Sequence, residues 1–107
     1  MNDRVQLSKV ESLIKKRHNQ RLMKEGVTIR NPESSYISPE AKIENDVIIE
    51  PNCFIEGKTV IKRNCRIGPF SQISNATIGE GTRVNASIIL NSKIGKDNNI
   101  GPYSYIR

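Results

Sequence analysis

From Ala41 onward this chain repeats one unit, a short side chain followed two places later by a branched aliphatic. The aliphatics are Ile43, Ile49, Ile55, Ile61, Ile67, Ile73, Ile78, Val84, Ile89, Ile94, Ile100 and Ile106, stepping by six with occasional fives. Two places before each stand Ala41, Val47, Cys53, Thr59, Cys65, Ser71, Ala76, Thr82, Ser87, Ser92, Asn98 and Ser104. No step breaks the rule.

A period of six is neither the 3.6 of a helix nor a sustained alternation of two, so no single secondary element explains it. Stacked turns of a parallel β-helix do. Three hexapeptides then make one triangular coil, in which the aliphatic fills the prism and the short residue fits near a corner. The backbone groups of each coil pair with those of the coil below. The expected fold is mainly β: an N-terminal α-helix followed by a left-handed parallel β-helix of hexapeptide repeats. Left-handedness runs against the usual right-handed β crossover, so it is taken from resemblance to known hexapeptide proteins and not from the spacing.

The corners support the same register. Pro51 and Pro69 are eighteen residues apart, and Pro102 follows Pro69 by six repeat steps, three of them five residues long. All three therefore fall on one corner, where a fixed φ is useful and the missing N–H does little harm. Gly68, Gly79, Gly95 and Gly101 each follow a core aliphatic directly, a turn position read here as one of positive φ.

Before the repeats the pattern changes. Asp3 to Glu25 contains no Pro or Gly, and Leu7, Val10, Ile14, Arg17 and Arg21 trace one helical stripe with Leu13 and Leu22 beside it. Asn2 or Asp3 can cap the start and Gly26 the end. Such a helix spans about 35 Å, and its narrow apolar stripe suits a strut that leans on something better than a core helix. Val27 to Pro39 reads as a lead-in coil or linker, with Asn31-Pro32 and Ser38-Pro39 as turn signals. The division expected is 1–26, the end of one domain with its connecting helix, and 27–107, the coils.

With 107 residues and 5% aromatic content there is no room for two cores. No stretch is apolar enough to span a bilayer and no signal-peptide pattern opens the chain, so a soluble cytoplasmic protein is expected. Cys53 and Cys65 occupy internal short-residue slots on different sides of the coil, which reads as two buried thiols and neither a disulfide nor a metal site. The net charge of +6 is spread over helix and coils, with five aromatics and no RNA or DNA motif, so no nucleic-acid partner is expected.

The opening Asn2-Asp3-Arg4-Val5-Gln6-Leu7, the run Arg17-His18-Asn19-Gln20-Arg21-Leu22-Met23, and Gly26-Val27-Thr28-Ile29 with Asn31-Pro32 resemble one family. It is the bifunctional N-acetylglucosamine-1-phosphate uridyltransferase / glucosamine-1-phosphate N-acetyltransferase. The similarity runs the whole chain in order. The Ile67-Gly68-Pro69 and Ile100-Gly101-Pro102-Tyr103 corners agree with it, although such hexapeptide pieces are generic. The resemblance implies a connecting helix and the first coils of a trimeric left-handed β-helix that carries acetyl transfer, in a cytosolic enzyme supplying a nucleotide sugar for cell-wall and surface glycans.

The implied sites are few. Asn2 is similar to the family's last nucleotidyltransferase residue, which helps hold Mg²⁺ and the nucleotide-sugar product. One carboxamide oxygen is a reasonable hard-cation ligand but not a whole site, and Asn2 reads first as a helix cap. Arg107 is similar to an Arg that contacts the phosphosugar, and a guanidinium can grip phosphate through two parallel hydrogen bonds. No catalytic residue is assigned. The base near the amine that acetyl transfer needs is, in the family, a His of later coils, whereas His18 lies on the helix as a solvated or inter-element side chain.

The chain therefore reads as a piece of a longer enzyme, inactive alone. Mg²⁺ and acetyl-CoA belong to the full-length protein, and none is expected bound here. The runner-up is a non-catalytic β-helical scaffold or trimerisation module. A β-helical carbonic anhydrase would need several His ligands and this chain has one; an ice-binding face would need more exposed threonines than four.

Overall fold

The computed structural model describes residues 3–107. Helix α1 (Arg4–Lys24) starts where the Asp3 side chain accepts a hydrogen bond from the Gln6 N–H, 2.8 Å, satisfying one of the donors a helix start leaves open. Asn2, the alternative cap, lies outside the described residues. The helix stops as expected at Gly26, whose φ of +99° turns the chain so that Val27 N–H donates back to the Leu22 carbonyl, 3.1 Å.

Fourteen strands of two or three residues follow, all paired in parallel. The first face of the prism stacks β1 (Thr28–Ile29), β4 (Ile48–Ile49), β7 (Arg66–Ile67), β10 (Arg83–Val84) and β13 (Asn99–Ile100). The second stacks β2 (Tyr36–Ile37), β5 (Phe54–Glu56), β8 (Gln72–Ser74), β11 (Ile88–Leu90) and β14 (Tyr105–Ile106). The third stacks β3 (Lys42–Ile43), β6 (Val60–Ile61), β9 (Thr77–Ile78) and β12 (Lys93–Ile94). Chain order thus cycles through three faces, the topology of a left-handed parallel β-helix.

The register places like on like. Ile29, Ile49, Ile67, Val84 and Ile100 stack inside the first face. Ile37, Ile55, Ile73, Ile89 and Ile106 do so inside the second, and Ile43, Ile61, Ile78 and Ile94 inside the third. The middle of this column is sealed from water, while Ile43, Ile94, Ile100 and Ile106 are partly open. Pro51, Pro69 and Pro102 share the corner between first and second faces. Pro32 joins them, in a short 3₁₀ turn (Pro32–Ser34). The lead-in segment is therefore a hydrogen-bonded first coil and not a linker: Thr28 N–H donates to the Val47 carbonyl and Tyr36 N–H to that of Cys53, both 2.9 Å.

Two expectations are corrected. Gly68, Gly79 and Gly95 do not have positive φ; of the four glycines that follow a core aliphatic, only Gly101 does. The left-handed turn falls two or three residues after the aliphatic and is taken mostly by Asn or Asp, at Asp46, Asn52, Asn64, Asn75, Asn91 and Asp97, whose side chains tolerate that region. Second, the stripe Leu7, Val10 and Ile14 is exposed among the described residues and is not the part by which the helix leans on the prism. The helix is held by its other end, where His18, Asn19 and Leu22 are buried and Leu22 joins the core with Val27 and Ile29. That end closes the N-terminal mouth of the prism, as a solenoid requires.

Candidate functional site

The corner after Ile100 is built by several restraints at once. Gly101, φ +99°, lies so close to the fourth coil that a Cβ there would overlap the Asn85 carbonyl oxygen. Tyr103 N–H donates to the Ala86 carbonyl, 2.9 Å, and Ser104 N–H to the Ser87 hydroxyl, 3.1 Å, which itself donates to the Asn85 carbonyl, 2.8 Å. Tyr103 is thereby thrust into solvent, 88% exposed. β14 then turns Ile106 inward and Tyr105 outward, and the Arg107 guanidinium lies over the Tyr105 ring, 5.7 Å from its centroid. An exposed cation–π contact of this kind contributes about 0.5–1 kcal/mol, enough to bias the direction of the guanidinium.

The three outer faces differ in chemistry. The first carries charge: Glu50, 8% exposed, accepts from Arg66 Nε and Nη2 at 3.0 and 2.7 Å and lies 3.6 Å from Arg30 Nε. The third displays Lys42, Lys62, Lys93 and Lys96 around β3, β6 and β12. The second is nearly uncharged. Tyr36, Phe54, Gln72, Ile88 and Tyr105 form its outward column, and its Glu56 carboxylate accepts from Gln72 Nε2, 2.9 Å, and Ser74 Oγ, 2.7 Å. Phe70 and Tyr103 stand on the corner leading into it, so all five aromatics of the chain gather there, every one exposed. Charge is also zoned along the axis. Glu25 to Glu56 holds seven acidic and two basic residues, whereas Lys58 to Arg107 holds eight basic and two acidic. Arg107 thus sits in a positive field suited to an anion.

Comparison with known proteins identifies residues 30–107 as matching the GMPPB C-terminal domain. The chain belongs to that family. All 107 residues are also similar to proteins named Bifunctional protein GlmU: 43% identical in Bacillus velezensis, 42% in Carboxydothermus hydrogenoformans and 46% in Thermoanaerobacter pseudethanolicus. The resemblance drawn from the helical segment therefore holds across the whole chain, including the residues ahead of the GMPPB C-terminal domain match. The chain spans about a quarter of the length of these relatives, 24%, 24% and 23% respectively.

Of the residues singled out in this GMPPB C-terminal domain protein, Arg107 lies at the end of the second face, and Asn2 lies outside the described residues. No group of three or more His, Cys, Asp or Glu side chains converges among the described residues, so they do not by themselves form a Mg²⁺ site. His18 sits between α1 and the first coil, its Nδ1 3.0 Å from Arg21 Nη2. Burial, and then the Arg21 charge, push its pKa below the usual histidine value. Buried at the end of the helix that packs on the first coil and remote from Arg107, it serves the docking of the helix.

Both cysteines are buried and free. The Cys53 thiol donates to the Gly68 carbonyl, 3.0 Å, and burial pushes its pKa up to about 11; Cys65 donates to the Gly79 carbonyl, 3.1 Å, and burial raises it also. Labelling of the native chain by a thiol reagent at about pH 8 is expected to run at least ~100-fold slower than in denaturant, because the thiolate is the nucleophile. Fast native labelling of either residue would contradict this placement.

The aromatic face was missed by reasoning from sequence. Its signal was present: the residue immediately before each core aliphatic points outward, and reading that position at every third repeat gives Tyr36, Phe54, Gln72, Ile88 and Tyr105.

Proposed function

We propose that this chain forms the end of the nucleotidyltransferase domain with its connecting helix, 1–26, and the first coils, 27–107, of the acetyltransferase part of a bifunctional cytoplasmic enzyme of UDP-N-acetylglucosamine biosynthesis. The full enzyme moves an acetyl group from acetyl-CoA to the amine of glucosamine-1-phosphate and then transfers a uridylyl group from UTP. The observation that carries the reading is Arg107, steered by Tyr105 at an exposed corner of the basic half of the prism. A planar fork held in that way can take a phosphosugar's phosphate in two parallel hydrogen bonds. Whole-length similarity to proteins named Bifunctional protein GlmU supports it.

Within this reading Asn2 would help hold the full enzyme's Mg²⁺ through its carboxamide oxygen, and the base that accepts the amine proton comes from coils after Arg107. The enzyme assembles as a homotrimer. The second face supports that assembly, since it is the side of the prism on which copies of a chain of net charge +6 can meet with least repulsion.

The test is acetyl transfer from acetyl-CoA to glucosamine-1-phosphate by the 107-residue chain beside a version extended C-terminally to the natural stop codon. Activity is expected only in the extended version, with Arg107→Gln raising KM for the phosphosugar about tenfold or more, the loss of a charge-assisted hydrogen bond of ~1.5 kcal/mol or more. Activity in the short chain would place the base within these residues. Silence in both would favour a non-catalytic scaffold or trimerisation module.

A further inference from the structure

The side chains of α1 that are buried are His18, Asn19 and Leu22, within about one turn of each other. His18 and Leu22, four apart, lie in one row, and α1 packs against β1, β2 and the Pro32–Ser34 turn. Of the three, Leu22 alone is apolar. Asn19 makes one long hydrogen bond, from Nδ2 to the Pro32 carbonyl at 3.4 Å, and its Oδ1 is enclosed without a partner among the described residues. His18 is 9% exposed, and its Nε2 is enclosed and unbonded in the same way.

The other ring nitrogen fixes where the proton is. Arg21 Nη2 lies 3.0 Å from His18 Nδ1, and a guanidinium has donors only, so Nδ1 accepts and carries no proton. An imidazolium carries a proton on both nitrogens. Protonation therefore sets two donors and two positive charges face to face. Arg21 is exposed and can swing into water, but the ring cannot follow. A cation is then left enclosed with neither nitrogen bonded, the costly state for a buried charge. Lifting this part of the helix off the first coil gives both nitrogens water.

We infer that His18 is an acid-sensitive latch, and that uptake of one proton by its ring releases the second half of α1 from the first coil. Burial lowers the His18 pKa most and the Arg21 charge next; the Ser38 backbone on the coil side and Glu25 at the helix end raise it by less. The elements packed against α1 carry two further titratable side chains, Glu33 and Tyr36, both exposed and neither shifting it. With the docked value below the ordinary one of about 6.5, the released helix binds the proton more tightly. Docking is at full strength above that pH, weakens as pH falls through it, and stops weakening only below the docked value.

His18 is the only histidine of the chain, so its ring signals in an NMR titration of the intact 107-residue protein are unambiguous. They are expected to titrate below the ordinary histidine value. The Glu25 and Val27 amides donate back into the last turn of the helix, and those of Arg66 and Gln72 pair the middle coils. Corrected for intrinsic exchange, hydrogen-exchange protection of the first pair is expected to fall at least about threefold from about pH 7.5 to about pH 5, while that of the second pair stays level. His18→Leu should remove this pH dependence, whatever it does to docking itself. Arg21→Met, at an exposed site, should move the His18 titration upward and shrink the loss, and it decides alone if His18→Leu does not fold. A ring titrating at or above the ordinary value, helix protection constant over this range, a loss shared equally by the middle coils, or one that persists in His18→Leu would overturn the inference.

Discussion

An Ile67→Asp variant is expected to lose the cooperative thermal unfolding of the parent chain, whereas Ile67→Val lowers its Tm by only a few degrees. Ile67 has no exposed surface and stacks between Ile49 and Val84 in the middle of the first face. Aspartate there removes the aliphatic contacts and leaves a carboxyl group without a partner inside the prism. The lost packing and the unpaired polar group together cost about 4–5 kcal/mol or more. A domain's net stability is only ~5–15 kcal/mol, and small domains lie toward the low end. The valine variant loses one methylene, about 0.5–1.5 kcal/mol. Calorimetry of the three proteins side by side checks this. An aspartate variant melting with the parent would mean that the side chain at position 67 points outward and that the register is wrong.

That register was readable because the fold imposes one rule on every turn. Each inward position faces the same prism, so Ile49 and Ile89 obey the same restriction although forty residues separate them. The prolines and the two cysteines were readable for the same reason, since a corner or an internal slot excludes most other residues. Outward positions carry no such restriction. Tyr36, Phe54 and Tyr105 are aligned by stacking, not by neighbours in sequence, so the aromatic face becomes visible only once the coils are in register. The helix shows a related limit. Periodicity placed Leu7, Val10 and Ile14 on one side, yet it says nothing about what covers that side, and here the prism holds the helix through His18, Asn19 and Leu22 instead. Arg107 was singled out by resemblance to the family's phosphosugar-contacting Arg, while the Tyr105 ring beneath it required three-dimensional placement.

The glycines separate two physical reasons for lacking a side chain, and a pair of alanine substitutions tells them apart. Neither Gly79 nor Gly95 has positive φ, so alanine meets no backbone penalty at either site. Gly79, however, lies directly beneath the next coil. A Cβ there would sit 2.7 Å from the Lys96 nitrogen and closer still to the Gly95 carbonyl group. Backbone cannot rotate away as a side chain can, so the coils must part and strain the Gly79 N–H bond to the Ile94 carbonyl, 2.9 Å. Overpacking of this kind costs about 1–3 kcal/mol or more, which for a chain of this size lowers Tm by roughly 4–8 °C per kcal/mol. At Gly95 the nearest atom to the added carbon is Asn98 Nδ2 at 3.6 Å, an ordinary contact, and Gly95→Ala is expected to be neutral within ~0.5 kcal/mol. Equal losses at both sites would mean that crowding between coils is not what selects glycine here. In a protein whose coils continue past Arg107, the same reasoning gives Gly95→Ala the penalty that Gly79→Ala already carries, because the following coil then fills the space above it.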